Sequence, residues 1–96
     1  MKMLKLMADY DSFPLWNASP NEFGNIDPER LPISTQLKAD LMGWAETFNN
    51  TLDRDDPLNS GFANPGEEQV FKMMGSSLAE RLQAELGPGV LVTLKV

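Results

Sequence analysis

The chain has 96 residues, of which 42% are apolar, and its 14 acidic and 8 basic side chains give a net charge of −6 at pH 7. It contains no cysteine and no histidine, which excludes disulfides, thiolate nucleophiles, Ser-His-Asp catalysis and nearly all zinc chemistry. The length predicts a single domain, residues 1–96, because a typical domain spans roughly 100–200 residues. Binding to nucleic acid or to an anionic membrane is disfavoured, since both depend on basic patches.

The first segment, residues 2–8, is typical of a half-buried β-strand. Leu4, Leu6 and Ala8 fall on one side of the alternation, and lysine or methionine side chains fall on the other, which is the period-2 pattern of a strand. The apolar run is too short, and too interrupted by Lys5, to be a signal peptide or a membrane span. We therefore expect a cytoplasmic protein with no membrane contact.

A long connection follows, in which residues 9–32 hold four of the eight aromatic residues, five carboxylates and four prolines. The prolines prevent a long helix or strand. Residues 19–22 and 27–30 each predict a single helical turn, because a capping residue precedes a proline. The apolar side chains of this connection either form a lid over the bare face of the sheet or the helix edge, or stay exposed as anchors for a partner. They are Phe13, Leu15, Trp16 and Phe23.

Two amphipathic helices are predicted over residues 34–52 and 66–86. Ser34 is the expected N-cap of the first helix. Asn64 caps the second, with Pro65 in its first position. The apolar stripes, at spacings of three and four residues, are Leu37, Leu41, Trp44, Ala45, Phe48 and Leu52 in the first helix and Val70, Phe71, Met74, Leu78, Leu82 and Leu86 in the second.

Gly75 lies inside the second stripe, where a glycine costs about 1 kcal/mol of helix stability relative to alanine. We interpret it as a place where another backbone or a bulky side chain such as Trp44 approaches closely. The residues predicted to face one another across the helix pair are Trp44 and Phe48 on the first helix and Phe71, Met74 and Leu78 on the second.

The last segment, residues 89–96, predicts a second strand. Its β-branched content supports this assignment, and Val90, Val92, Leu94 and Val96 would face the core. The order strand, helix, helix, strand predicts an α+β fold, a two-layer sandwich with the terminal strands paired and a long irregular loop after the first strand.

No motif for metal binding or catalysis is complete. The acidic stretch 53–61 fails as an EF-hand loop, because Pro57, Leu58 and Asn64 occupy the fifth, sixth and twelfth positions, where a ligand, a glycine and a glutamate are needed. Carboxylates are numerous enough for a glycosidase-type pair, but nothing selects one. We therefore expect no enzyme, no metal and no cofactor. A carboxylate-based enzyme or a metal-binding protein is the least favoured alternative.

Negative charge is concentrated in two connections. Residues 9–33 and 53–68 hold ten acidic and two basic side chains, a balance of −8, while the rest of the chain is +2. This distribution favours a cationic partner, although acidic surfaces also serve solubility alone. The predicted partner-binding residues are the steering acids and the contact aromatics Asp9, Tyr10, Asp11, Trp16, Asp53, Asp55, Asp56 and Phe62.

The chain resembles a group of short, acidic, uncharacterised bacterial proteins in the segments YDSFPLW, GNIDPERLP, LKADLMGWAETFNNTLDRDDP, SGF and LAERLQAELG. In physical type it is similar to immunity proteins of bacterial toxin systems, which are small and cytoplasmic and cap a cationic toxin domain. The resemblance implies a binding protein that neutralises a basic protein partner, and it carries over no catalytic residue. The alternative is a self-associating or adaptor domain without an inhibitory role. The sequence leaves the oligomeric state open.

Overall fold

The computed structural model describes residues 2–21, 24–52, 61–62 and 64–96. Together they form a four-stranded sheet with two helices packed against one face. The elements are β1 (Lys2–Leu6), β2 (Leu15–Asn17), β3 (Asn25–Ile26), a 3-10 turn (Pro28–Arg30), α1 (Thr35–Asn49), α2 (Pro65–Leu86) and β4 (Val90–Leu94). The predicted α+β class is confirmed, and the described residues add two short strands that the sequence pattern did not predict.

The terminal strands are neighbours, as predicted. In the strand order β3-β2-β1-β4, β1 and β4 pair in parallel, with Leu4 opposite Val92 and Leu6 opposite Leu94. A parallel pair needs a long crossover, which the intervening connection and both helices supply. Leu4 and Leu6 are fully buried, so the alternation of β1 correctly identified its core-facing side.

The connection after β1 adds strands β2 and β3 to the sheet beside β1. Strand β2 pairs antiparallel with β1, so that Leu15 lies opposite Leu6 and Trp16 lies opposite Lys5. Directly paired residues share a face of the sheet, and Leu15 is fully buried in the core. The lid interpretation is therefore wrong for Leu15, while residue 23 lies outside the described part of the chain.

Asn25 holds the start of β2 in place. Its Oδ1 accepts a hydrogen bond from the backbone N–H of Phe13 at 2.7 Å, and its Nδ2 donates to the carbonyls of Phe13 and Leu15 at 2.6 and 2.9 Å. Pro14 between them has no N–H to donate. The side chain of Asn25 thus provides pairing that the short strand cannot obtain from its backbone alone.

One of the two predicted helical turns is confirmed. Asp27 caps the turn Pro28–Arg30 by accepting a hydrogen bond from the Glu29 N–H at 3.0 Å. At the other position, Pro20 and Asn21 lie in a turn without helix, and residue 22 lies outside the described residues.

Capping contacts confirm both predicted helix starts. Ser34 Oγ and Asn64 Oδ1 each accept a hydrogen bond from the backbone N–H three residues later, at 3.2 and 2.9 Å. Helix α1 ends at Asn49, three residues earlier than predicted. The hydroxyl of Thr51 donates to the carbonyl of Phe48 at 2.6 Å, and such local bonds compete with continuation of a helix.

The core lies between the sheet and the helix pair. Trp44 is buried, stacks on Phe71 with a ring separation of 4.5 Å and an interplanar angle of 5°, and donates from Nε1 to the Phe71 carbonyl at 2.9 Å. A Cβ atom at Gly75 would lie 2.9 Å from Trp44 Cζ2, which confirms the predicted close approach. The buried cluster consists of Leu6, Leu15, Ile33, Leu37, Leu41, Trp44, Phe71, Leu78 and Leu82.

Three residues predicted to face the core are exposed. Val70 and Met74 are 56% and 47% exposed, because the α1 residue on their side is Thr47, whose side chain is too short to cover them. Met74 therefore does not face Trp44 in the core as predicted. Val96 is 55% exposed, since β4 ends at Leu94.

Candidate functional site

The C-terminal end of α1 is where the two acidic connections meet. The ring of Tyr10 stacks on Phe48 at 4.7 Å, and its hydroxyl lies 3.1 Å from Thr51 Oγ1. From the other connection, the N–H of Gly61 donates to the Thr51 carbonyl at 2.9 Å. Thr51 therefore contacts both connections, through its side chain and its backbone respectively.

A continuous set of aromatic rings joins this surface to the core. We call it the aromatic cluster, and it comprises Tyr10, Trp44, Phe48, Phe62 and Phe71. The ring of Phe62 lies 5.0 Å from that of Phe71 and 6.4 Å from that of Phe48, and Phe48 lies 5.7 Å from Phe71. Tyr10 and Phe62 are half-buried. Each is anchored by the core on one side and presents its other side to solvent.

Two predicted acids flank Tyr10 at the surface. Asp9 is exposed, and its carboxylate accepts a hydrogen bond from the Tyr10 N–H at 2.8 Å. Asp11 is also exposed, and its N–H donates to Asn49 Oδ1 at 3.0 Å. Asp11 has a φ of 55°, the left-handed conformation that aspartate tolerates better than most residues. This turn fixes the acidic loop against the end of α1.

A cleft of about 440 Å³ separates that loop from α1. Phe13 and Met42 contribute apolar side chains that are 36% and 41% exposed, and Asp11 and Glu46 contribute carboxylates. An alkyl stem with a charged end, as in lysine or arginine, matches this combination. Sequence reasoning missed Met42 and Glu46, although their position off the apolar stripe of α1 marks them as surface residues.

Trp16 lies apart from the other predicted site residues. Its register with Lys5 places it on the face of the sheet opposite the helices, whereas Tyr10 packs on Phe48 of α1. The Trp16 indole donates from Nε1 to the Met7 carbonyl at 2.9 Å. The predicted acids Asp53, Asp55 and Asp56 lie outside the described residues.

The helices present a negative surface, because their basic side chains are already matched by acids. The ion pairs are Lys38–Glu29, Lys72–Glu68 and Arg81–Asp40, at 3.6, 3.7 and 2.8 Å. Hydrogen bonds from Arg81 and then Gln36 hold the pKa of Asp40 below its ordinary value. Among the described residues, Glu46 and Glu67 have no basic side chain within ion-pair distance.

In the described ranges, no group of three or more acidic side chains is placed to hold a metal ion. The acidic stretch 53–61 does not fit a calcium-binding loop in sequence. It lies outside those ranges except for Gly61. None of the described helices is long and apolar enough to cross a membrane.

The described residues form a small α+β protein in which a cluster of aromatic rings reaches the surface beside Asp9 and Asp11. Residues 2–95 match the family model described as Serratia CdiI immunity protein-like, and the chain belongs to that family. The match confirms the resemblance to immunity proteins and spans both acidic connections. No curated protein matches the chain in sequence.

Proposed function

We propose that the chain is a bacterial immunity protein that neutralises a toxin domain by binding to it. The observation that carries the proposal is the family match over residues 2–95. The proposed action is stoichiometric and not catalytic. We place it in the cytoplasm, in line with the absence of cysteine, because disulfide bonds mark oxidising compartments.

The proposed contact is the acidic surface, which we define as the two connections that meet at Thr51. Its aromatic anchors are Tyr10 and Phe62, and both are supported by contact with Phe48. Its charged residues are Asp9, Asp11, Asp53, Asp55 and Asp56. Trp16 is not included, because its register with Lys5 puts it on the other face of the sheet.

A basic toxin is the partner that this surface suits. A nuclease toxin, for example, needs basic residues to hold phosphates, and the connections that form the acidic surface carry a balance of −8. The carboxylates would accelerate encounter, and the half-buried aromatic rings would slow dissociation. In the cleft beside α1, an arginine or lysine stem would pack on Phe13 and Met42, with its charge near Asp11 and Glu46.

The proposal predicts that a toxin domain is encoded beside this chain's own gene, and co-expression with that domain tests it. Cells that produce the toxin domain with the wild-type chain should grow, and the purified pair should form a one-to-one complex in calorimetry. Glu46→Gln should weaken the complex. Glu80→Gln is the matched control, because Glu80 is exposed on the distant half of α2. Failure of the wild-type chain both to protect and to bind would contradict the proposal.

A further inference from the structure

We infer that a groove between α1 and α2 is a second contact for the same basic partner, and that it takes a large apolar side chain flanked by lysine or arginine. This helix groove has a volume of about 500 Å³, and it is lined by Thr47, Phe62, Asn64, Gly66, Glu67, Val70, Phe71 and Met74. The inference rests on the proposed function, because it assumes a protein partner with basic side chains.

Several apolar side chains in and beside the groove are exposed to solvent. Val70 and Met74 in its wall are 56% and 47% exposed, and Met73 beside them is 62% exposed. Contiguous apolar exposure of this kind on a small protein marks interaction sites more often than scattered single residues do. Phe71 at the groove belongs to the buried core cluster, so packing in the core holds this part of the groove wall in place.

Small residues at the rim keep the groove open. The Thr47 side chain at the rim is short, and its hydroxyl donates to the carbonyl of Gly43 at 3.0 Å, so its polar atom is satisfied within its own helix. Gly66 adds no side chain, and a Cβ atom there would meet the capping Asn64 Oδ1 at 3.1 Å. The cap of α2 and the open end of the groove therefore depend on the same glycine.

The charges around the groove indicate what kind of residue occupies it. Among the described residues, no basic side chain lines the groove, and Glu67 contributes an exposed carboxylate. The nearby Lys72 is 3.7 Å from Glu68. An apolar side chain with a cationic neighbour complements this arrangement. A second copy of the chain would instead bring a net charge of −6 towards an acidic rim, which opposes association.

The helix groove is also continuous with the acidic surface. Phe62 lines the groove and packs in the aromatic cluster against Phe48, on which Tyr10 stacks. A partner that covers Tyr10 and Phe62 therefore reaches the groove while it stays in contact with apolar side chains. This continuity favours one extended interface over two separate ones.

The test measures binding kinetics with the toxin domain encoded beside this chain's gene. A Val70→Ser/Met74→Ser variant should dissociate about 10- to 100-fold faster, because buried apolar anchors control dissociation, and its association rate should be unchanged. Glu67→Gln should slow association at low salt only. The matched controls are Leu91→Ser, a 40% exposed residue on the outer face of the sheet, and Glu80→Gln. Both should bind as the wild type does.

The possible outcomes separate the two proposals. If the wild-type chain does not bind the toxin domain, the proposed function is wrong. If it binds and the double variant keeps the wild-type dissociation rate, the groove inference alone is wrong. A dimer of the chain alone in sedimentation velocity, lost in the double variant, would also overturn the inference. If the double variant unfolds at a lower temperature than the wild type, Val70→Thr replaces it, because threonine keeps the shape of valine while adding a hydroxyl. This variant should also dissociate faster than the wild type.

Discussion

Gly75 and Trp44 are in such close contact that a Cβ atom on the glycine would lie 2.9 Å from Cζ2 of the indole. The missing side chain lets the indole lie flat on Phe71, with an interplanar angle of 5°. Phe71 in turn contacts Phe48 and Phe62. A position deep in the helix pair thus supports the aromatic rings that reach the proposed partner surface.

The two mid-helix glycines should respond oppositely to alanine. Gly75→Ala should lower the free energy of unfolding by about 1–3 kcal/mol, because the methyl group overpacks the core against Trp44. Gly43→Ala should raise it by up to about 1 kcal/mol, since a Cβ atom there meets none of the described atoms within 4 Å. Urea titration of the two variants checks both signs. A stable Gly75→Ala protein would mean that the indole moves aside at little cost.

Removal of the Trp44 side chain tests the core assignment directly. Trp44→Ala should cost about 3–5 kcal/mol of unfolding free energy. Trp44→Phe should cost less, but it still removes the hydrogen bond from Trp44 Nε1 to the Phe71 carbonyl, which contributes about 0.5–1.5 kcal/mol. Denaturant titration monitored by circular dichroism measures the unfolding free energy of both variants. A loss below about 1 kcal/mol for the alanine variant is too small for a residue in the core.

Helix starts and the core-facing sides of the terminal strands could be predicted from the sequence, because they depend on local chemistry. Ser34 and Asn64 cap α1 and α2 with the bonds that their positions suggested. The alternation around Leu4 and Leu6 identified the buried side of β1. The long-range contact at Gly75 could also be predicted, because a glycine that destabilises the helix inside its apolar stripe indicates close packing at that position.

Features that depend on tertiary contacts were missed. Strand β2 has three residues and follows Pro14, so no periodicity could reveal it, and its pairing depends on Asn25 from ten residues later. The helix groove arises because Thr47 is too short to cover Val70. The apolar stripe of α2 does not by itself show which α1 residue lies opposite it. Val70 was therefore predicted to lie in the core.

The hydroxyl pair at the acidic surface should show measurable coupling. Because Thr51 Oγ1 donates to the Phe48 carbonyl, the Tyr10 hydroxyl must be the donor in the 3.1 Å contact between them. A double-mutant cycle with Tyr10→Phe and Thr51→Val should give a coupling energy of about 0.5–1.5 kcal/mol in unfolding. Thr51→Ser, which keeps the hydroxyl, is the control. Strict additivity of the two substitutions would show that the contact contributes nothing.

Acid should weaken the Asp40–Arg81 pair in a defined range. The pKa of Asp40 is lower in the folded chain than its ordinary value, through the hydrogen bond from Arg81 and then that from Gln36. The carboxylate therefore stabilises the fold above the unfolded-state pKa of about 3.9, and this contribution is lost as pH falls through the lower folded value. The stability difference between wild type and Asp40→Asn should be constant at neutral pH and shrink below about pH 4. A stability difference between wild type and Asp40→Asn that stays constant below about pH 4 would contradict the assignment.

The most direct test of the account is the association rate of the chain with its toxin domain as a function of ionic strength. Wild-type association should be fast at low salt and fall steeply as salt rises, because steering by carboxylates is screened. Changing Asp53, Asp55 and Asp56 together to asparagine should slow association and flatten its salt dependence, with folding stability little changed. Unchanged association kinetics of this variant across low and high salt would contradict the account and leave the acidic connections a role in solubility alone.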